Sequence, residues 1–147
     1  MMVTLKFEKE INASAQKVWN VLWNKDTYAQ WTSSFNPISR IEADWRVGGK
    51  TYFKDADGNG MVTVIDAMNE PYELVFRQVG EVNNGVEDTT SEKVKSYAGS
   101  FEKYFLSETD GVTKLNASVD TSEEYSAFME KAFIEGLEIV KKLAEEK

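Results

Sequence analysis

The stretch Asp55-Ala56-Asp57-Gly58-Asn59-Gly60 is the first place where residue types and spacing could do chemistry. Asp55, Asp57 and Asn59 alternate and then meet a glycine, the way a helix–loop–helix calcium site opens its ligand loop. Such a loop would add the Met61 carbonyl and close on a bidentate acid at its twelfth position. That residue is Asp66, one methylene shorter than the usual Glu. The flanks oppose this reading. Upstream, WRVGGKTYFK carries two glycines and a Thr-Tyr-Phe run and does not read as helix, and downstream MVTVIDAM alternates as a strand. The same six residues suit the tip of a β-hairpin, where Gly and Asn tolerate positive φ. No metal is therefore expected at Asp55, Asp57 and Asn59.

Acid–base chemistry has few carriers here. The chain has no His and no Cys, which removes imidazole bases, Ser–His pairs, thiolate nucleophiles, disulfides and zinc–thiolate sites together. Catalysis would fall to carboxylates, Lys, Tyr, Arg or a bound cofactor, and no cofactor is expected. The strand 99–108, GSFEKYFLSE, is where this matters. If Phe101 and Phe105 face inward, Lys103 comes with them; if Tyr104 and Leu106 do, Glu102 comes instead. Either choice brings a charge to the interior side, where it needs a partner or a shifted pKa. Glu102, Tyr104 and Arg77 are the candidate catalytic residues. No recognisable catalytic motif surrounds them, so an enzyme is expected less than a binding protein.

These residues must be positioned by a scaffold. VTLKFEKEI alternates as a strand, and Ser14 can cap a helix with Ala15, Val18, Trp19 and Leu22 on one face. DTYAQWTSSF suggests a second short helix, with Tyr28, Trp31 and Phe35 on one side and Pro37 ending it. Six alternating, β-branched or aromatic segments follow, separated by turn residues, which means consecutive antiparallel strands. Residues 80–98 form a long polar connection, part of which could extend the flanking strands. From Thr121 to Lys147 an apolar stripe from Tyr125 to Ala144 marks a long amphipathic helix, with capping-box spacing at Thr121 and Glu124. Gly136 in its middle suggests a close approach between helix and sheet.

The composition bounds what such a scaffold can serve. One domain, residues 1–147, can bury one core. A net charge of −8 argues against nucleic acid and against anionic membrane surfaces. No run of more than three apolar residues occurs, so membrane insertion is not expected. The start MMVTLKFEKEI does not read as a signal peptide, and a cytoplasmic location is expected.

Three stretches carry a resemblance. INASAQKVWNVL with the downstream Trp31, DWRVGGK, and DADGNGMVTVIDAMNEPYELVFR together resemble the START and birch-pollen-allergen helix-grip superfamily (SRPBCC). More narrowly, the chain is similar to the branch named after the activator of the heat-shock-protein ATPase. The likeness covers essentially the whole chain. It implies an α+β helix-grip fold: a curved antiparallel sheet of about seven strands around a long C-terminal helix, two short helices closing one end. It also implies a cavity between helix and sheet, commonly for hydrophobic small molecules such as lipids. Many relatives carry Gly-Trp in the final helix where this chain has Gly136-Leu137, so its cavity could differ in size.

Strand alternation and this resemblance together nominate Trp31, Phe35, Trp45, Phe53, Phe76, Gln78, Tyr104, Met129, Phe133 and Leu137 as cavity residues. The bland alternative is that they fill a core at normal density. The expected partner is a hydrophobic small molecule, with a weak homodimer or a chaperone ATPase as alternatives. An enzyme of the cyclase or hydrolase kind is the third reading.

Overall fold

The computed structural model describes residues 2–36 and 38–146. Pro37, expected to end the second short helix, lies outside the described residues, as do Met1 and Lys147. The chain opens with β1 (Met2–Ile11), whose residues alternate between exposed and half-buried. Two short helices follow, α1 (Ala15–Trp23) and α2 (Lys25–Trp31), with a 3-10 turn at Thr32–Ser34. Ser14 caps α1: its hydroxyl accepts from the Lys17 amide at 3.1 Å. The Trp31 indole donates to the Leu22 carbonyl at 3.0 Å and so ties α2 back to α1.

The sheet continues with β2 (Arg40–Ala43), β3 (Lys50–Lys54), β4 (Gly60–Asn69), β5 (Glu73–Asn83) and β6 (Val86–Asp88). A single turn of helix, α3 (Glu92–Lys95), precedes β7 (Phe101–Thr109) and β8 (Val112–Ser122). All pairings are antiparallel, in the order β1-β8-β7-β5-β4-β3-β2, with β6 beside the end of β5. The sheet thus has eight strands. The added one is β6, formed where a long irregular connection was expected: β5 runs on to Asn83, turns at Asn84-Gly85 and pairs back. Both turn residues have positive φ, as a tight hairpin requires.

Two bulges interrupt the β4–β5 ladder, one leaving out Val79 of β5 and one leaving out Asp66 of β4. Each bulge adds a residue without a partner, bends the sheet and reverses which residues face in beyond it.

The last helix, α4 (Ser126–Glu145), starts later than expected. Thr121 and Ser122 are still strand, paired with Val3 and Met2, and a 3-10 turn at Glu123–Tyr125 intervenes. The Thr121/Glu124 spacing therefore does not cap the helix; Tyr125 stands at its N-cap without a side-chain bond. Ala132, Phe133, Leu137, Val140 and Ala144 bury one face of α4, about 1.5–3 kcal/mol for each of the larger side chains. Its close neighbours are β1, α1, α2 and the 3-10 turn after α2. Gly136 lets it approach α2: a Cβ there would lie 2.8 Å from the Trp31 carbonyl oxygen. The close approach is thus to the short helix rather than to the sheet. With α4 drawn to that side, the concave face of the middle strands is only partly covered.

Trp23 is the hub of the covered part. Its ring meets Tyr104 at 4.9 Å, Phe76 at 5.4 Å and Trp45 at 6.2 Å, and it also contacts Trp19, Tyr28 and Trp31. Edge-on ring contacts of this kind each add about 0.5–1.5 kcal/mol beyond burial. No described helix is long and apolar enough to cross a membrane.

Candidate functional site

The uncovered part of the concave face is a cavity of about 1000 Å³, open at one end. This is at the upper end of the usual size for a small-molecule site. Its floor and walls near the core come from α2, β3, β7, β8 and α4: Tyr28, Trp31, Phe53, Tyr104, Val119 and Phe133. Phe35 and Met129 continue the apolar wall outward, and Tyr125 and Phe128, more than half exposed, stand beside the opening. Thr63 and Gln78 interrupt the apolar lining from β4 and β5.

The strand with two possible faces is resolved by its neighbours. Tyr104 and Leu106 of β7 are buried while Phe105 is 41% exposed, so Glu102 points inward. It sits opposite Phe76 of β5 and Val119 of β8, both buried. Lys103 is left on the outer face over the Phe101 ring. Glu102 lies deep in the fold, yet part of its surface opens on the cavity. Burial pushes its carboxyl up to about 7, opposed only by the neighbouring Tyr104 hydroxyl. Tyr104 and Tyr28 are pushed well above the ordinary phenol range, chiefly by burial and then by the charge of Glu102. Both phenols therefore keep their protons and remain donors.

A second carboxyl, Glu81, lines the same cavity and is buried. It accepts from the Tyr97 hydroxyl at 2.8 Å, from the Asn83 amide and from Lys93 at 3.2 Å. The Tyr97 bond, then those of Asn83 and Lys93, hold it below the ordinary carboxylate range against some desolvation. The bulge at Val79 places Glu81 there. Strict alternation from Phe76 and Gln78 would bring Gly80 and Val82 inward; with Val79 unpaired, Glu81 and Asn83 take the cavity side. A Cβ at Gly80 would lie 2.2 Å from the Asp88 carbonyl oxygen, so only glycine lets β6 close on this bend.

Of the residues nominated from sequence, Trp31, Phe35, Phe53, Gln78, Tyr104, Met129 and Phe133 line this cavity. The other three lie elsewhere. Phe76 is fully buried between Trp23 and Phe53, one layer beneath the wall. Trp45 is 41% exposed and caps Trp23 from outside. Leu137 lines a smaller groove of about 450 Å³ between β1 and α4. Arg77 points to the outer face, where its Nε donates to both carboxylate oxygens of Asp66 at 3.1 and 3.0 Å. It is thus remote from Glu102 and Tyr104, because successive strand residues point to opposite sides. Val119, inward by the alternation of VTKLNASVD, lines it as well, whereas Tyr28 and Glu81 are additions; Tyr28 carries a sequence signal, its shared helix face with Trp31.

The DADGNG turn joins β3 to β4 with strands on both sides. One oxygen of Asp55 accepts from the Asp57 and Asn59 amides at 2.9 and 3.0 Å, and Asn59 accepts from the Asn84 amide at 2.8 Å. These side chains brace two neighbouring hairpins. Asp66, the residue at the twelfth loop position, is taken by Arg77. No cluster of three or more acidic ligands occurs among the described residues.

A sequence model of the family described as activator of Hsp90 ATPase homolog 1-like protein matches residues 12–145. No curated protein matches the chain. Among solved structures it is similar to protein MLL2253 from Mesorhizobium loti, with 13% identity and a TM-score of 0.71 over 96% of each chain. It is similar to the protein of the Aha1 dimer from Colwellia psychrerythraea, with 15% identity and a TM-score of 0.65. That match covers 97% of this chain and 94% of the other. DynU16, from the dynemicin biosynthetic locus, shows 15% identity and a TM-score of 0.66 over 95% of this chain. The chain spans 46% of DynU16, less than half its length. At these identities the likeness is one of fold.

Proposed function

The chain belongs to the activator of Hsp90 ATPase homolog 1-like family, and from that premise we propose that it binds a hydrophobic or aromatic small molecule. The single observation behind this is the cavity of about 1000 Å³ walled by aromatic side chains between sheet and α4. A space of that size lined by Trp31, Phe53 and Phe133 costs packing energy when empty of apolar contacts, and an apolar ligand restores them. The few polar groups, Gln78, Thr63, Glu102 and the two phenols, would set orientation.

Titration with the uncharged dye N-phenyl-1-naphthylamine tests this. Saturable one-to-one binding at roughly micromolar Kd is expected. Met129→Trp, which fills part of the cavity from α4, weakens it by about tenfold with the circular dichroism spectrum unchanged. Wild-type protein that takes up no dye at saturation defeats the reading.

A second, enzymatic reading has one observation in its favour: a buried carboxyl poised near neutral pH beside a phenol is the form a general acid or base takes. If a turnover is found, Glu102→Gln abolishes it while leaving dye binding intact. Undiminished turnover in that variant removes Glu102 from the chemistry.

A further inference from the structure

We propose that the ligand of this cavity is an organic cation, a protonated amine on an apolar body, its ammonium group held by Glu102 among the aromatic rings. This rests on the reading of the cavity as a ligand site and names the class of ligand.

The first argument is the state of Glu102. A carboxylate offers about four acceptor positions, and the Tyr104 hydroxyl is the one polar group that lowers the pKa of this one. Among the described residues no Lys or Arg pairs with it. Directly opposite on the flanking strands stand Phe76 and Val119, and α4 brings Met129 and Phe133 to the cavity wall. None of these carries a charge. Tyr28 from α2 and Tyr104 from its own strand are the titratable groups that act on it, and both stay neutral.

The second argument is the remaining charge of the cavity. Lys93 is engaged by Glu81, and Lys54 by Glu42 at 3.3 Å. The Asp55 carboxylate accepts backbone amides, and Asp120 accepts from Thr4 and from the Phe101 amide. An anionic head group reaching the inner end would therefore meet Glu102 and no free cation. A neutral hydroxyl would fill one acceptor position and leave the buried charge unpaired. An ammonium ion fills several positions, neutralises the charge and meets the faces of Tyr28, Trp31 and Phe53.

The pH dependence follows. Without ligand the Glu102 carboxyl holds its proton to about pH 7; ion pairing requires it to leave. Amine binding thus expels one proton below that pH and tightens as pH rises, until the amine itself deprotonates near 10.

The test compares three probes with one body and different heads: 2-(1-naphthyl)ethylamine, 2-(1-naphthyl)ethanol and 1-naphthaleneacetate, titrated by calorimetry. At pH 8 the amine is expected to bind at least about tenfold tighter than the alcohol, and the acetate more weakly than either. Between pH 6 and 8 the Kd of the amine falls by about tenfold, while that of the alcohol stays within about twofold. Glu102→Gln removes the preference for the amine and keeps the alcohol; should that variant not fold, the wild-type pH series decides alone. Alcohol bound as tightly as amine, or acetate bound tightest, overturns the cation assignment and leaves the cavity reading standing. If none of the three binds, both fall.

Discussion

Glu81 and Glu102 are carboxyl groups on the wall of one cavity, and their surroundings drive them in opposite directions. Glu81 is buried, and its side chain is covered by donors: a phenol, an amide and an ammonium group. Its charged form is fully accommodated. Glu102 stands among rings with the Tyr104 hydroxyl as its polar neighbour, and its neutral form is favoured. A carboxyl already satisfied is a structural strut, whereas one left short of partners has interactions to offer a newcomer. The same residue type thus performs two jobs a few strands apart, and the difference is the number of donors that the fold supplies.

The largest expected effect concerns Glu102 and pH. Its native pKa of about 7 stands above the ordinary value of about 4.3, so the folded state holds this proton more tightly. The associated stability is fully present below about pH 4 and is lost as pH rises through 7, by at most about 3.7 kcal/mol. Urea unfolding between pH 4.5 and 8 should show this decline in wild type. Glu102→Gln should be the more stable protein at pH 8 and should lack the decline. A flat wild-type curve matching that of the variant breaks the contrast.

Glu81→Ala comes next. It strands the Tyr97 hydroxyl and the Asn83 amide, at a cost of about 1–3 kcal/mol at pH 7. The native carboxyl is held low, so its contribution exists above the ordinary pKa and is lost as pH falls through the depressed one. The gap between variant and wild type should narrow as pH drops from 6 to 3, on the far side of the Glu102 window. Denaturant melts at several pH values check this, and a constant gap would assign the loss to packing.

A smaller effect sharpens the distinction. Tyr104→Phe takes away the one hydroxyl that lowers the Glu102 pKa. The carboxyl should titrate still higher, by up to about one unit, followed by carbon NMR of the Glu102 carboxyl. A downward shift would mean that water replaces the phenol. The smallest effect belongs to the outer face: Asp66→Ala breaks a half-exposed pair with Arg77 and should cost less than about 1 kcal/mol. Binding of the naphthyl probes should be unchanged, since neither side chain borders the cavity.

Much of this architecture is legible in the residues, and the failures have identifiable physical origins. Alternation in VTLKFEKEI, KTYFK and VTKLNASVD reports the sheet faces directly, because each strand has one polar side. FEKYF does not, since aromatic and charged residues occur on both of its faces; only burial against β5 and β8 decides for Glu102. Trp23 widens the apolar face of α1 beyond Ala15, Val18, Trp19 and Leu22, following Trp19 by four residues and Ala15 by eight. The expected helix start at Thr121 failed because β1 extends far enough to keep Thr121 and Ser122 in the sheet. Residues 80–98 look like loop in composition, yet Asn84-Gly85 is a hairpin signal, and it folds β6 back on β5. Glu81 was out of reach of any period-two argument, because the bulge before it resets the count.

That bulge fixes which residues guard the entrance. Were Val79 taken into a regular ladder, Gly80 and Val82 would face incoming molecules and Glu81 and Asn83 the outside. Every side chain of the wall would be unmutated, yet the gateway would pass from charged to greasy. Loss of Val79 itself would instead remove the bend and keep Glu81 and Asn83 facing in, so a one-codon deletion there would spare the polarity of the gateway and alter only its shape.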